Sequence, residues 1–359
     1  MSEDRKITVA MSGGVDSSVA ALLAKQLGYE VQGIYMRTWH NDDANAPLDH
    51  CPWQKDSEDA RQIAQQLAVD FTIVNMIDFY KKFVVNPLVE GYRNGITPNP
   101  DILCNQFIKF GALANVAKEN RSDALGTGHY CKKRKNYNET FDIIEPTDKN
   151  KDQTYFLAYL KQEQIQFAEF PLADLTKKEV RKLASMANFI TAKKKDSQGI
   201  CFLGKVKIQD FLSHYIGKNS GNIVNLEGKI VGRHEGLHNF TIGQRHGLNI
   251  PSNSDYNFYV VIGKDLERNE LKVAFESEKK LYNNRFHVYN LSYTNKEFPG
   301  NCRIACRPRY RDPYQEIYFE KISSREAIIE FQKPQRALAS GQVVAFYESG
   351  VLLGGGIYA

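Results

Sequence analysis

VAMSGGVDSSVAAL, residues 9–22, is the stretch that decides the fold. It joins a β-branched run, ITVAM (7–11), to a helical pattern over residues 17–27 that stops at Gly28. Two glycines allow the backbone to approach an anion, and a helix N-terminus adds N–H donors and a favourable dipole. Ser12, Ser17 and Ser18 contribute hydroxyls. The lysine of a G-x-x-x-x-G-K-[ST] phosphate loop is missing, and an acid, Asp16, stands inside instead. A carboxylate beside phosphates is repulsive unless a metal lies between them, so the loop predicts Mg²⁺ held on a pyrophosphate. That arrangement suits cleavage between the α- and β-phosphates, which leaves AMP on an acceptor.

Outward from the loop, strands and helices alternate. VQGIYM (31–36), FTIVNM (71–76) and ALGTGHY (124–130) carry further strands, and DSEDARQIAQQLA (56–68) reads as a helix capped by Asp56 or Ser57. The expectation is an α/β N-terminal domain built on a doubly wound parallel sheet, with ligands at the carboxyl ends of its strands. Residues 155–190 read as helical, with a Thr176–Glu179 capping box. Beyond about residue 210, glycine and β-branched residues dominate, apart from a short helical piece around 324–328. A small central mostly-β domain and a C-terminal β-barrel follow. The expected domains are 1–210 for adenylation, 211–276 in the centre and 277–359 for the barrel.

With 359 residues, 42% hydrophobic and 25% charged, the chain has the make-up of a globular protein of more than one domain. No apolar leader or membrane-length run is present, so a cytoplasmic location without membrane association is expected. The net charge of +5 is mild, but KKRK (132–135), KKK (193–195) and Arg303, Arg307, Arg309 and Arg311 cluster it, which suits a polyanionic partner. Among six cysteines there is no C-x-x-C pair, and Cys51, Cys131, Cys302 and Cys306 read as small core residues. Cys104, in TPNPDILCNQFIKFG (97–111), an expected extended, turn-rich loop just before a helical segment and not a core position, and Cys201, beside three lysines in KKKDSQGICFLG (193–204), have surroundings that favour a thiolate. Asp101 stands near Cys104 as a candidate for orientation or proton transfer.

The loop resembles that of the N-type ATP pyrophosphatases, the PP-loop or adenine nucleotide alpha hydrolase-like group, whose members adenylate a carbonyl oxygen. SGGVDSS, NPDILCNQFIKFG, TGHY, KDQTYFL, AKKKDSQGICFLG, FTIGQRHGL and the closing GGGI together resemble, in order and spacing, the tRNA-specific 2-thiouridylase MnmA family. That resemblance implies ATP-dependent, Mg²⁺-assisted 2-thiolation of the wobble uridine of Lys, Glu and Gln tRNAs, with tRNA as partner. It implies ATP binding by Ala10, Met11, Ser12, Gly13, Gly14, Val15, Asp16 and Ser17, helped by Met36 and Gly128. Cys201 would carry a persulfide from a sulfur-carrier protein or cysteine desulfurase. Cys104 would be the nucleophile, pairing transiently with Cys201 in a disulfide. Asn99, Pro100 and Asp101 match the target-base segment. His129, Lys151, Asp152, Gln153, Arg309, Tyr310 and Gln342 match tRNA-contacting positions. The competing readings are a PP-loop enzyme acting on another acceptor and a non-catalytic RNA-binding protein. The first leaves the cysteine pair unexplained, and the second leaves an intact Asp16 without a task.

Overall fold

The computed structural model describes residues 5–40, 53–196, 206–250, 257–298 and 300–359. Strands β1 (Lys6–Ala10), β2 (Glu30–Arg37), β3 (Asp70–Asn75) and β4 (Ala124–Gly126) come first. A hairpin of β5 (Lys132–Lys135) and β6 (Phe141–Ile144) follows, then the two-residue β7 (Ala168–Glu169). The parallel sheet has the order β3-β2-β1-β4-β7. Its strand direction of growth reverses between β1 and β4, which opens the crevice where α/β proteins bind ligands.

Both faces of this sheet are covered, which explains its apolar strands. Ile7 and Val9 of β1 pack against Val19 and Ala20 of helix α1 (Val15–Gln26), Ala60 and Ile63 of α2 (Trp53–Gln66), and Val180. Ile34 and Leu125 point to the opposite layer, with Val84, Ile108, Leu113 and Ile165. The doubly wound expectation therefore holds. Two local expectations do not. Within the described residues α2 begins at Trp53, so Asp56 and Ser57 lie in its first turns and cap nothing; Ser57 Oγ donates back to Gln54 O (2.9 Å). The 155–190 stretch is broken by β7, a strand too short to carry a readable alternation.

The central sheet has the order β10-β11-β8-β9, from β8 (Gly221–Val224), β9 (Ile230–His234), β10 (Tyr259–Asp265) and β11 (Glu270–Phe275). It closes over Ile223, Phe240, Val261 and Val273. The C-terminal strands are β12 (Tyr282–Tyr293), β13 (Cys302–Arg307), β14 (Gln315–Lys321), β15 (Glu326–Arg336), β16 (Val343–Glu348) and β17 (Val351–Tyr358). Pairing of β12 with β17 closes them into a barrel. The helix expected near 324–328 is the start of β15, where buried Ala327, Ile329 and Phe331 alternate at period two. Strand β16 is apolar on both faces for a reason. Val344 and Phe346 fill the barrel, while Val343, Ala345 and Tyr347 pack outward on the N-terminal helices.

The units are stitched together at several points. The β5–β6 hairpin adds to the barrel sheet through β17. Thr97 N–H donates to Ser340 O (2.9 Å), Gln342 Nε2 donates to Thr97 O (2.7 Å), and Thr97 Oγ1 donates to Thr241 Oγ1 (3.4 Å). Gly341 has φ +87°, and a Cβ there would lie 2.1 Å from Ile96 Cγ2, so the turn fits only glycine. The basic runs take part in this stitching. Lys132, Lys133, Arg134 and Lys135 pair with Asp174, Glu169, Asp142 and Glu139, so KKRK is a self-neutralised hairpin edge.

Lys264 of β10 gives a pH signature. Its Nζ is buried without a hydrogen-bond partner, 6.0 Å from the Tyr92 ring centroid, and burial pushes its pKa down to about 8. Between pH 8 and the usual lysine value the unfolded chain binds the extra proton, so stability rises with pH across that window. Lys264→Met is expected to be more stable than the parent below pH 8, by up to about 3 kcal/mol, with the gap closing as pH rises toward 10.5. Urea denaturation at pH 7 and pH 10 measures this; a gap independent of pH refutes it.

Candidate active site

The PP-loop sits at the carboxyl end of β1, beside the end of β4. Gly13 has φ +71°, and a Cβ on it would lie 2.1 Å from Asp56 O. Gly128, just past β4, would place a Cβ 2.9 Å from Asp16 C and Ser17 N. The two glycines thus let α2 and the 126–130 turn close onto the loop. Gly14, the N-cap of α1, provides no side-chain cap, so the first-turn N–H groups remain oriented for an anion. The hydroxyls tighten the loop: Ser12 N–H donates to Ser17 Oγ (3.1 Å), and Ser17 and Ser18 donate to Gly14 O (3.1 and 2.8 Å). Met36 lies at the end of β2, level with these residues, and Met11 is buried behind the loop.

Asp16 is the centre of an ionic network. Its Oδ1 accepts from Tyr130 Oη (2.8 Å), and Lys177 Nζ reaches both carboxylate oxygens (2.6 and 2.7 Å). Lys177 also pairs with Asp196 (2.8 Å), which takes Lys151 (2.6 Å) and Arg181 (2.8 Å) as well. Burial works against the charge on Asp196, but Lys151 and Lys177 outweigh it and hold the carboxyl at about 2. Burial, then the Asp16 charge, pushes the Tyr130 phenol far up, so it stays a donor to Asp16. Lys194 donates to Gly13 O (2.8 Å), Asp56 (2.7 Å) and Asp59 (2.5 Å). Its charge is therefore committed to the loop and α2. No group of three or more His, Cys, Asp or Glu able to hold a metal occurs among the described residues. A lone loop carboxylate fits a Mg²⁺ bound mainly through phosphate oxygens.

Asn99 caps the helix that follows it, accepting from the N–H groups of Asp101 (3.1 Å) and Ile102 (3.2 Å). The helix begins at Pro100, so Cys104 is a helical residue, 3% exposed, and not part of an extended loop. It stands where α-helical Pro100–Leu103 passes into a π-helical run, Cys104–Leu113, a distortion frequent at functional sites. Burial pushes the Asp101 carboxyl above its usual range, against the opposing pull of Lys109. On the same helix Phe110 packs 5.6 Å from the His129 ring, next to Gly128. His129 is buried, bonded to Thr127 Oγ1 through Nδ1 (2.9 Å), and held neutral by burial and by Lys109. Cys201 and Cys51 lie outside the described residues. Cys131 and Cys306 are buried, Cys302 is half-buried, and burial raises all three thiols.

The residues matched to tRNA contacts are placed unevenly. Lys151 is on Asp196, Gln153 Oε1 accepts from Tyr130 N–H (2.9 Å), and Asp152 is buried on Arg307 (2.6 Å). Arg307 thus points inward from the basic ladder. Arg309 donates to Arg336 O (2.6 Å), and Tyr310 packs on Phe156 with ring centroids 4.3 Å apart. Gln342 is engaged with Thr97 O, as described. Lys177, Tyr130 and Asp196 escaped the sequence reading; the Thr176 capping box, which fixes where Lys177 projects, is the local signal that pointed nearest to them.

Residues 5–205 match the family described as tRNA methyl transferase HUP domain, 209–275 its PRC-barrel domain, and 283–358 the aminomethyltransferase beta-barrel domain. The tRNA-specific 2-thiouridylase MnmA of Akkermansia muciniphila is 45% identical over 355 residues, covering 98% of each chain. That of Lysinibacillus sphaericus is 41% identical over 354 residues, covering 98% of this chain and 93% of the relative. Among solved structures, NMN synthetase from Francisella tularensis has a TM-score of 0.35 at 16% identity, covering 60% of this chain and 79% of that one. That likeness is too remote to bear on substrate.

Proposed function

Since the chain belongs to the MnmA family of tRNA-specific 2-thiouridylases, we propose that it adenylates O2 of the wobble uridine in Lys, Glu and Gln tRNAs and replaces that oxygen with sulfur. Uracil O2 attacks the α-phosphorus of ATP, and the bond from that phosphorus to the α,β-bridging oxygen breaks, releasing pyrophosphate. Sulfur then adds at C2, the C2–O bond breaks, and AMP departs with the original oxygen. Activation is needed because the carbonyl is a poor electrophile with a poor leaving group. Residues Ala10–Ser17, Met36 and Gly128 are the proposed nucleotide site. Asp16 would hold the Mg²⁺ that comes with ATP, and that ion would supply positive charge against the departing pyrophosphate.

Asn99, Pro100 and Asp101 are proposed to receive the base, which must leave the anticodon stack to be reached. Burial raises the Asp101 carboxyl above its usual range, and its place one turn before Cys104 on the same helix suits it to carry a proton during the exchange. Cys201 is the proposed persulfide carrier, charged by a sulfur-carrier protein or cysteine desulfurase. Cys104 attacks Cys201 Sγ and breaks its S–S bond. Either hydrosulfide is freed to attack C2, or the terminal sulfur is already bonded to C2 and is released from Cys201. Both routes end in a Cys104–Cys201 disulfide that an external thiol must reduce. Arg309 and Tyr310 are suited to anticodon-loop phosphate and base contact, with His129, Gln342 and the 151–153 segment supporting the same surface.

The observation that carries this reading is a continuous line of contact. Gly128 touches Asp16, and its neighbour His129 packs on Phe110 of the helix that bears Asp101 and Cys104. The test is reconstitution with unmodified tRNA, ATP, Mg²⁺ and a persulfide source, followed by digestion and mass spectrometry. The expected product is 2-thiouridine at the wobble position. Sulfur at another nucleotide, or no ATP requirement, contradicts the reading.

A further inference from the structure

The lysine absent from the loop sequence is present in the fold, 161 residues from Asp16 along the chain. We propose that Lys177 is the phosphate-binding cation of this site: it neutralises Asp16 when the loop holds no nucleotide and moves its donors to the pyrophosphate when Mg²⁺ claims that carboxylate. The proposal rests on the adenylation reading above.

The position of Lys177 is determined from both sides. It is the first residue of the helix Lys177–Met186, whose start is fixed by the Thr176–Glu179 capping box, and its own N–H donates to Asp148 Oδ2 (2.9 Å). Its side chain is 13% exposed, so it is confined yet reachable from the loop's mouth. The Nζ is divided between Asp16, the loop's own acid, and Asp196. Asp196 has Lys151 and Arg181 besides, so it anchors the ammonium without depending on it. The neighbouring cations are otherwise engaged: Lys194 with Asp56, Asp59 and Gly13 O, and Arg181 with Asp196 and the carbonyls of Ala192 and Lys194.

A charge exchange follows from this geometry. Were Asp16 to hold the Mg²⁺ that comes with ATP, the ammonium of Lys177 would lose its electrostatic hold on that carboxylate. Lys177 keeps its bond to Asp196 and has further N–H donors to turn toward phosphate oxygens. When the bond to the α-phosphorus breaks, the electron pair stays on the departing pyrophosphate, where a preplaced ammonium stabilises the growing charge. This is the task that a loop lysine performs in other phosphate loops, carried out from a separate helix.

The test measures Mg²⁺-dependent binding of ATP, pyrophosphate and AMP to the whole chain and to Lys177→Ala and Lys177→Arg, with thermal melts to register folding. Losing a charge-assisted hydrogen bond predicts ATP and pyrophosphate binding about 10- to 100-fold weaker in Lys177→Ala. AMP binding is expected to stay within about twofold, because AMP lacks the groups the lysine meets. Lys177→Arg is expected to recover part of the pyrophosphate affinity. Equal weakening of ATP and AMP would mean that Lys177 only shapes the loop, and unchanged pyrophosphate affinity in a folded Lys177→Ala overturns the proposal outright. A parent protein that binds no ATP overturns the adenylation reading itself, and this inference with it.

Discussion

Cys104→Ser is expected to lower 2-thiouridine formation at least about 1000-fold while tRNA-dependent pyrophosphate release continues within a few-fold of the parent. The exchange of sulfur for oxygen nearly conserves volume, and the helix around it is set by the Asn99 cap and by Ile102, Ile108 and Phe110 in the core. What the serine lacks is nucleophilicity, since its hydroxyl is not ionised near neutral pH. Adenylation precedes sulfur transfer, so a defect confined to the later step leaves pyrophosphate release in place. A core-packing cysteine behaves differently. Cys131→Ser and Cys306→Ser put hydroxyls into sites at 0% exposure, and each is expected to cost about 1–3 kcal/mol of stability. Their thiolation per folded molecule stays near that of the parent. If Cys104→Ser instead loses stability and keeps its product yield per folded molecule, Cys104 is a packing residue.

Arg307→Ala is expected to destabilise the fold by about 3–5 kcal/mol, an effect measured by urea denaturation at neutral pH. The guanidinium reaches Asp152 and Glu145 at 2.6 Å each and lies over the Tyr314 and Tyr347 rings, at 4.5 and 5.3 Å. Both acids are nearly buried, at 2% and 10% exposure, so removal of the arginine takes the guanidinium from Asp152 and leaves Glu145 with Lys149 and Tyr314 only. Arg307→Lys restores only part of the loss, because a point charge cannot serve two carboxylates and two rings at once. Burial opposes ionisation of Glu145, but Lys149, Tyr314 and Arg307 hold its carboxyl below the usual range. Its contribution is complete above the unfolded carboxylate value and fades as pH falls through the lowered one. The gap between parent and Arg307→Ala is therefore expected to shrink on acidification. A loss under about 1 kcal/mol at pH 7 contradicts this account.

The PP-loop was legible because its determinants are local. Glycines, serines and an acid between a strand and a helix specify their own geometry. The barrel strands were legible for a similar reason, as short alternating runs between turns. Residues 324–328 misled because Ser324, Arg325 and Glu326 resemble a helix start, whereas the period-two burial of Ala327, Ile329 and Phe331 needs a barrel to bury against. The basic runs were legible only in part. A sequence counts charges but not their partners, and KKRK, Lys194 and Arg307 spend theirs on internal carboxylates. The chemistry of Cys104 is legible in its residue type, but its helical setting is not, because two prolines conceal that Asn99 and Pro100 open a helix. The Lys177–Asp16–Asp196 network was not legible at all, because three distant segments meet only when the sheet folds.

The most direct test of the central claim follows one oxygen atom. Transfer RNA carrying ¹⁸O at uracil O2 is incubated with the chain, ATP, Mg²⁺ and a persulfide source, and the released AMP is analysed by mass spectrometry. Adenylation of O2 predicts one ¹⁸O in the phosphate of AMP for each 2-thiouridine formed. Unlabelled AMP accompanying 2-thiouridine would contradict it, because the nucleotide would then have been hydrolysed by water and never bonded to the base.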